Sequence, residues 1–158
     1  MDETFTVNLG SVKQDLILGM IECQKRGLVQ SAKWLAELSH GLNDVSIEPA
    51  SRRSSDTLNA GISDEEYDDY VLAKSYFDVR EYDRSAYFTR NCNSPVPKFL
   101  HIYATYMSKE KKRLDNMSDN SIVNSTSHVK DYSELLASLR TEHSLRKLDG
   151  YCLYLYGV

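Results

Sequence analysis

Apolar residues return along this chain at helical spacing, and polar clusters interrupt them at intervals. Val12, Leu16, Met20 and Cys23 share one stripe behind Ser11 and Gln14, which stand in capping-box spacing, so a first helix is predicted that ends at Gly27. Lys25 and Arg26 fall in its last turn, where cations oppose the negative end of the helix dipole. A second helix is predicted over 28–40, with Leu28, Ala32, Leu35 and Leu38 on one side and Gly41 as terminator. So short a connection makes the two antiparallel. Ser63 and Glu66 repeat the capping-box spacing ahead of a third helix that carries Tyr70, Val71, Ala73 and Phe77. The acidic run Asp64, Glu65, Glu66, Asp68 and Asp69 lies in its first turns, where the dipole favours negative charge without any metal. That helix breaks at 79–81, and a fourth is expected from Tyr82 to about Cys92. Ser94-Pro95 reads as a helix start rather than a phosphorylation site, and a fifth helix follows from about Pro97 to Arg113, with Leu100, Tyr103, Met107 and Leu114 on one stripe. A sixth covers 132–147. The final "LDGYCLYLYGV" is open between strand and buried helix, because its apolar run is short and aromatic. It ends without a cap or breaker, which leads us to expect a piece of a longer chain.

Two stretches lose the helical period. Residues 43–62 and 115–130 gather Ser, Asn and Asp, the first also Pro and Gly, and are read as exposed polar insertions. Ser54 and Ser55 beside Arg52 and Arg53 have the form of a basic-directed phosphorylation site, although a solvated loop is the plainer account. The two Asn-x-Ser/Thr triplets of the second insertion are loop composition, since no secretory signal accompanies them.

The helices pair as 11–41, 63–93 and 97–147, and the pairs resemble one another. "QSAKWL" (30–35) and "RSAYFT" (84–89) share a small Ser-Ala step before a large aromatic; their offset is 54, and removing the 20-residue insertion leaves 34, the period of the tetratricopeptide helix-turn-helix unit. The same reasoning relates Ala73 to Gly157 at twice that period once 16 residues are removed. Ala32, Leu72, Ala73, Tyr76 and Ser85 are candidate packing positions at helix crossings, and Pro97 falls where that unit places its proline. Asp69 in place of Trp, and Thr89 where an aromatic is expected, depart from the pattern. The predicted fold is all-α: stacked antiparallel helix hairpins, an α-solenoid of tetratricopeptide type.

Composition narrows the function. At 158 residues, with 41% hydrophobic and 27% charged residues, the chain can bury a core without disulfides. Cys23, Cys92 and Cys152 are odd in number and sit in apolar periodic segments, as reduced buried thiols do. The net charge is −4 and the basic run Lys109 to Arg113 is read as a solvated helix end, so no nucleic-acid partner is expected. No stretch approaches the ~20 apolar residues of a membrane span, and the N-terminus lacks the order of a signal peptide; a nuclear and cytoplasmic protein with no membrane partner is expected. His40, His101, His128 and His143 form no Glu-flanked pair, and no Cys-x-x-Cys or glycine-rich phosphate loop occurs, so neither catalytic residues, metal nor cofactor is assigned. His101 and His143 are read as ordinary packed or hydrogen-bonded residues. The eleven tyrosines suit helix crossings and protein interfaces.

"QKRGLVQSAKWLAEL", "YVLAKSYFDVREYDRSAYF" and "LRKLDGYCLYLYGV" resemble the subunit 8 (cell-division-cycle protein 23) family of the anaphase-promoting complex, across most of the periodic chain and not in the two insertions. The resemblance implies the N-terminal part of a long tetratricopeptide superhelix in a multisubunit ubiquitin ligase that controls mitotic progression, acting as a non-catalytic scaffold. It implies a two-fold homodimer made through these repeats, further contacts with other subunits of the complex, and residues 149–158 as the first helix of a third unit. The family's grooves for coactivator peptides lie in later repeats, so no peptide-binding residue is carried over. Candidate dimer residues are Trp34, Leu35, Leu38, Tyr70 and Phe77, for each of which intramolecular core is the plainer reading. The alternative is a peptide-binding adaptor or co-chaperone module that grips a terminal carboxylate. Tyr70 and Lys74 stand where that resemblance calls for Lys and Asn.

Overall fold

The computed structural model describes residues 7–42, 44–45, 61–118 and 125–157, and among them the chain forms seven helices and no strand. Helix α1 (Leu9–Lys25) begins two residues ahead of Ser11, because Asn8 takes the cap: its Oδ1 accepts from the Ser11 amide at 3.2 Å. Ser11 is therefore the third helical residue, and the Ser11–Gln14 capping box does not form. The end of α1 is as predicted. Gly27 lies at φ 71, its amide donates to the Gln24 carbonyl at 3.0 Å and the Leu28 amide to that of Cys23 at 2.9 Å, the paired bonds of a Schellman turn. Helix α2 (Val29–His40) then runs back along α1.

Helix α3 (Asp64–Asp78) has Ser63 at its cap, but the box with Glu66 stays open. The Glu66 carboxylate instead accepts from the amides of Asn93 and Ser94 at 2.7 and 3.0 Å, tying the start of α3 to the start of helix α5 (Pro95–Ser118). Between them lies α4 (Tyr82–Thr89), which stops three residues short of the expected Cys92. The α3–α4 turn repeats the Schellman bonds of the first hairpin, with Arg80 at φ 63 in the place of the glycine. Pro95 is the first residue of α5. Helix α6 (Ser125–Ser144) begins seven residues before the predicted Tyr132, and α5 runs five past Arg113, so much of 115–130 is helix rather than loop. Ser, Asn and Asp disfavour a helix interior by only about 0.7 kcal/mol each, which tertiary packing overrides. One such tie is the Tyr132 hydroxyl, which donates to Glu110 across the α5–α6 pair at 2.7 Å. The first insertion is anchored at its end: Ile62 is buried. Ser54 and Ser55 lie outside the described residues. The last stretch is a helix, α7 (Gly150–Gly157), entered from a third Schellman turn at Arg146, φ 54, and capped by Asp149, whose Oδ1 accepts from the Cys152 amide at 2.8 Å.

The helices stack in chain order: α1 on α2, α2 on α3, α3 on α4, α4 on α5, and both α6 and α7 on α5. Each core is shared between neighbours, as in a solenoid. Met20, Ala32, Ala36, Leu72 and Tyr76 join the first hairpin to α3; Ile62, Tyr67, Tyr70, Ala73 and Leu100 join α3 to α5; Ile102, Leu139 and Cys152 join α5, α6 and α7. The structural register of the first two hairpins is 53, one less than the sequence offset. At 53, buried Ile17 and Met20 match buried Tyr70 and Ala73, buried Ala32 and Ala36 match Ser85 and Thr89, and Gly27 matches Arg80. The second sequence offset fails, because Ala73 is buried mid-helix whereas Gly157 is the exposed last residue of α7.

Candidate functional site

Several of the described polar residues at the junction of the first two hairpins hold them together. Lys13 on α1 is fully buried and its Nζ pairs with Asp68 on α3 at 2.8 Å, with the Val45 carbonyl at 3.4 Å. His40 meets Asp69 at 2.9 Å, Lys33 meets Glu81 at 2.7 Å, and the Tyr76 hydroxyl donates to Glu37 at 2.9 Å. The Lys33 hydrogen bond holds the Glu81 carboxyl below the usual carboxylate range, while burial and then the bond to Glu37 push the Tyr76 phenol up. Three of the five residues of the acidic run thus work as a joint: Asp68, Asp69 and Glu66 each reach another element. Their position in the first turns of a helix is legible in the sequence, but these partners, from 27 to 55 residues away, are not.

Of the candidate packing residues, Ala32, Leu72, Ala73, Tyr76, Ser85 and Pro97 are all buried. The candidate dimer residues divide. Tyr70 is 8% exposed and belongs to the core between α3 and α5, and Leu35 and Phe77 are half-buried against the two cores. Trp34 and Leu38, by contrast, are 59% and 41% exposed, one turn apart on the outer face of α2, with exposed Leu28 at its start. Tyr87 takes the position of Trp34 in the next hairpin and is exposed too, its ring carrying the Arg90 guanidinium at 4.0 Å. Sequence periodicity cannot make this division: Leu35 and Leu38 both belong to an apolar helix, and only the placement of α1 and α3 decides which is covered.

No group of three or more His, Cys, Asp or Glu that could hold a metal occurs among the described residues. His40 faces Asp69, the Nδ1 of His101 lies 2.9 Å from the Ala86 carbonyl, and His143 stacks on Tyr156. The three thiols are unlinked, and burial pushes Cys92 up to about 11 and Cys152 to about 12, so at neutral pH both keep their protons and are poor nucleophiles. Among the described residues no helix is long and apolar enough to cross a membrane. What the surface offers is area for contact.

Known proteins carry similar sequences. The family model for anaphase promoting complex subunit 8 / Cdc23 matches residues 11–158. This chain belongs to the anaphase-promoting complex subunit 8/Cdc23 family. It is similar to the cell division cycle protein 23 homologs of Bos taurus, at 41% identity over 156 residues, and Homo sapiens, at 40%, in each case over 96% of this chain and 25% of the relative. It is also similar to anaphase-promoting complex subunit 8 of Dictyostelium discoideum, 34% identical over 118 residues, 69% of this chain and 20% of that protein. The chain spans about a quarter of the length of the first of these subunit 8/Cdc23 relatives.

Proposed function

We propose that this chain is part of a scaffold subunit of the anaphase-promoting complex, acting without catalysis of its own in the nucleus and cytoplasm. Its stacked hairpins self-associate about a two-fold axis and hold other subunits of the ligase at fixed distances. The observation that carries this reading is the outer face of α2, where Trp34 and Leu38 stand exposed while Ala32, Leu35 and Ala36 of the same helix pack into the first core. A large aromatic flanked by leucines is the kind of anchor that dominates an interface core. A two-fold contact of standard size, about 1,600 Å² in total, is within reach of such a face. Family membership supports the ligase setting, since relatives bear the name of that complex.

Two differently tagged copies of the chain, co-expressed, test the reading. Each tag should retrieve the other copy from wild-type protein, and the double substitution Trp34→Glu, Leu38→Glu should abolish retrieval while leaving the helical circular dichroism unchanged. Retrieval unaffected by the double substitution would refute the role given to this face.

A further inference from the structure

The basic run Lys109 to Arg113, expected at a helix end, lies inside α5, which continues to Ser118; the scaffold reading leaves it unused, and it meets the α3–α4 turn across an open cleft of about 500 Å³. Arg80, Tyr82 and Arg84 form one wall, with Ser108, Lys111 and Lys112 of α5 on the other. The lining contains four cations, Arg80, Arg84, Lys111 and Lys112, against three carboxylates, Glu81, Asp83 and Asp115, on a chain whose net charge is −4. Two of those carboxylates are already committed. Glu81 is held by Lys33 of the first hairpin at 2.7 Å as well as by Arg84 at 2.9 Å, and Asp83 accepts from Ser108 and pairs with Lys112 at 3.2 Å. The described ion pairs engage neither Arg80 nor Lys111.

Arg80 is also costly to keep. It occupies the left-handed position of its Schellman turn, φ 63, where the preceding hairpin uses Gly27. A side chain there is disfavoured by about 1 kcal/mol relative to glycine. Arg146 takes the same strained position in the third turn, so the backbone cost alone assigns no role; what distinguishes Arg80 is that its turn borders a cleft with excess positive charge. A carboxylate ligand would only exchange with the carboxylates already present. A dianion with three acceptor oxygens gains over them, and an arginine fork beside lysines suits it.

We propose that this cleft binds a phosphorylated serine or threonine on a segment of a partner protein, with Arg80 and Lys111 as the primary phosphate ligands and Arg84 and Lys112 in support. The site is separate from the outer face of α2 and does not depend on self-association.

The test is fluorescence anisotropy of the whole 158-residue chain with a labelled Gly-Ala-phosphoserine-Ala-Gly peptide, its unphosphorylated and glutamate forms, and inorganic phosphate as competitor. The phosphopeptide should bind at least tenfold tighter than either other peptide, and Arg80→Gly and Lys111→Gln should each weaken it at least fivefold. Arg80→Gly relieves the backbone, so its thermal midpoint should equal or exceed that of wild type, which separates lost binding from lost folding. Equal binding of the phosphoserine and glutamate peptides, or full binding by Arg80→Gly, would overturn the proposal. Inorganic phosphate binding as tightly as the phosphopeptide would overturn it too, by showing an anion site with no peptide recognition.

Discussion

Ser85 shows how a single side chain reports on the repeat. It is fully buried at the position where the first hairpin has Ala32, and its hydroxyl has no hydrogen-bond partner among the described residues. A buried polar group left unpaired costs on the order of 1 kcal/mol or more. Ser85→Ala should therefore stabilise the chain by about 1 kcal/mol, read as a rise of about 2–4 °C in the calorimetric midpoint; a fall would mean that the hydroxyl has a partner. Lys13 makes the opposite case. Its fully buried ammonium is held by Asp68, which is itself about one-fifth exposed. Removing the carboxylate strands the cation, so Asp68→Ala should cost about 3 kcal/mol in urea unfolding, whereas Lys13→Met, which leaves Asp68 able to hydrate, should cost far less. Equal losses would argue against a buried cation. The sequence does not single out Lys13, because a lysine reads as solvated until its partner, 55 residues away, is known.

Among the elements, caps and turns were the most legible and capping boxes the least. Gly27 ends α1 as its neighbours predict, since only local bonds are involved. Gly27→Ala should cost about 1 kcal/mol, because Cβ meets the left-handed backbone penalty there and not a clash; an unchanged urea midpoint would count against the Schellman geometry. The two predicted boxes failed differently: at α1 Asn8 takes the cap and accepts from the Ser11 amide, and at α3 the Glu66 carboxylate accepts from the amides of Asn93 and Ser94, just ahead of α5. The Glu66 link is titratable. Burial raises its pKa, but hydrogen bonds from the amides and hydroxyls of Asn93, Ser94 and Ser63 outweigh it, and the carboxyl sits below the ordinary value. Asp83, bonded to Ser108 and Lys112, and Glu81 are lowered as well. A carboxyl depressed in the folded state stabilises fully above its unfolded pKa of about 4–4.3, and that stability is lost as pH falls through the folded value. Urea midpoints should therefore drop as pH falls from about 5 to 3, and Glu66→Gln should flatten part of that slope. A wild-type midpoint that rises on acidification would contradict these links.

At the scale of the whole molecule, the stack of hairpins was legible because small residues recur where helices cross, and the true register of 53 lies one residue from the offset read in the sequence. The error arose from aligning Ser-Ala with Ser-Ala, when burial aligns Ala32 with Ser85. Which apolar residues remain for a partner was not legible, since exposure depends on how consecutive hairpins cover each other. Trp34 and Leu38 are left uncovered and Tyr70 is not. The proposed function by contact rests on that uncovered face. Its most direct test is the mass of the 158-residue chain by sedimentation equilibrium at micromolar concentration. The account predicts twice the 18.1 kDa of one chain, falling to 18.1 kDa for Trp34→Glu, Leu38→Glu; a wild-type mass of 18.1 kDa across that range would contradict it.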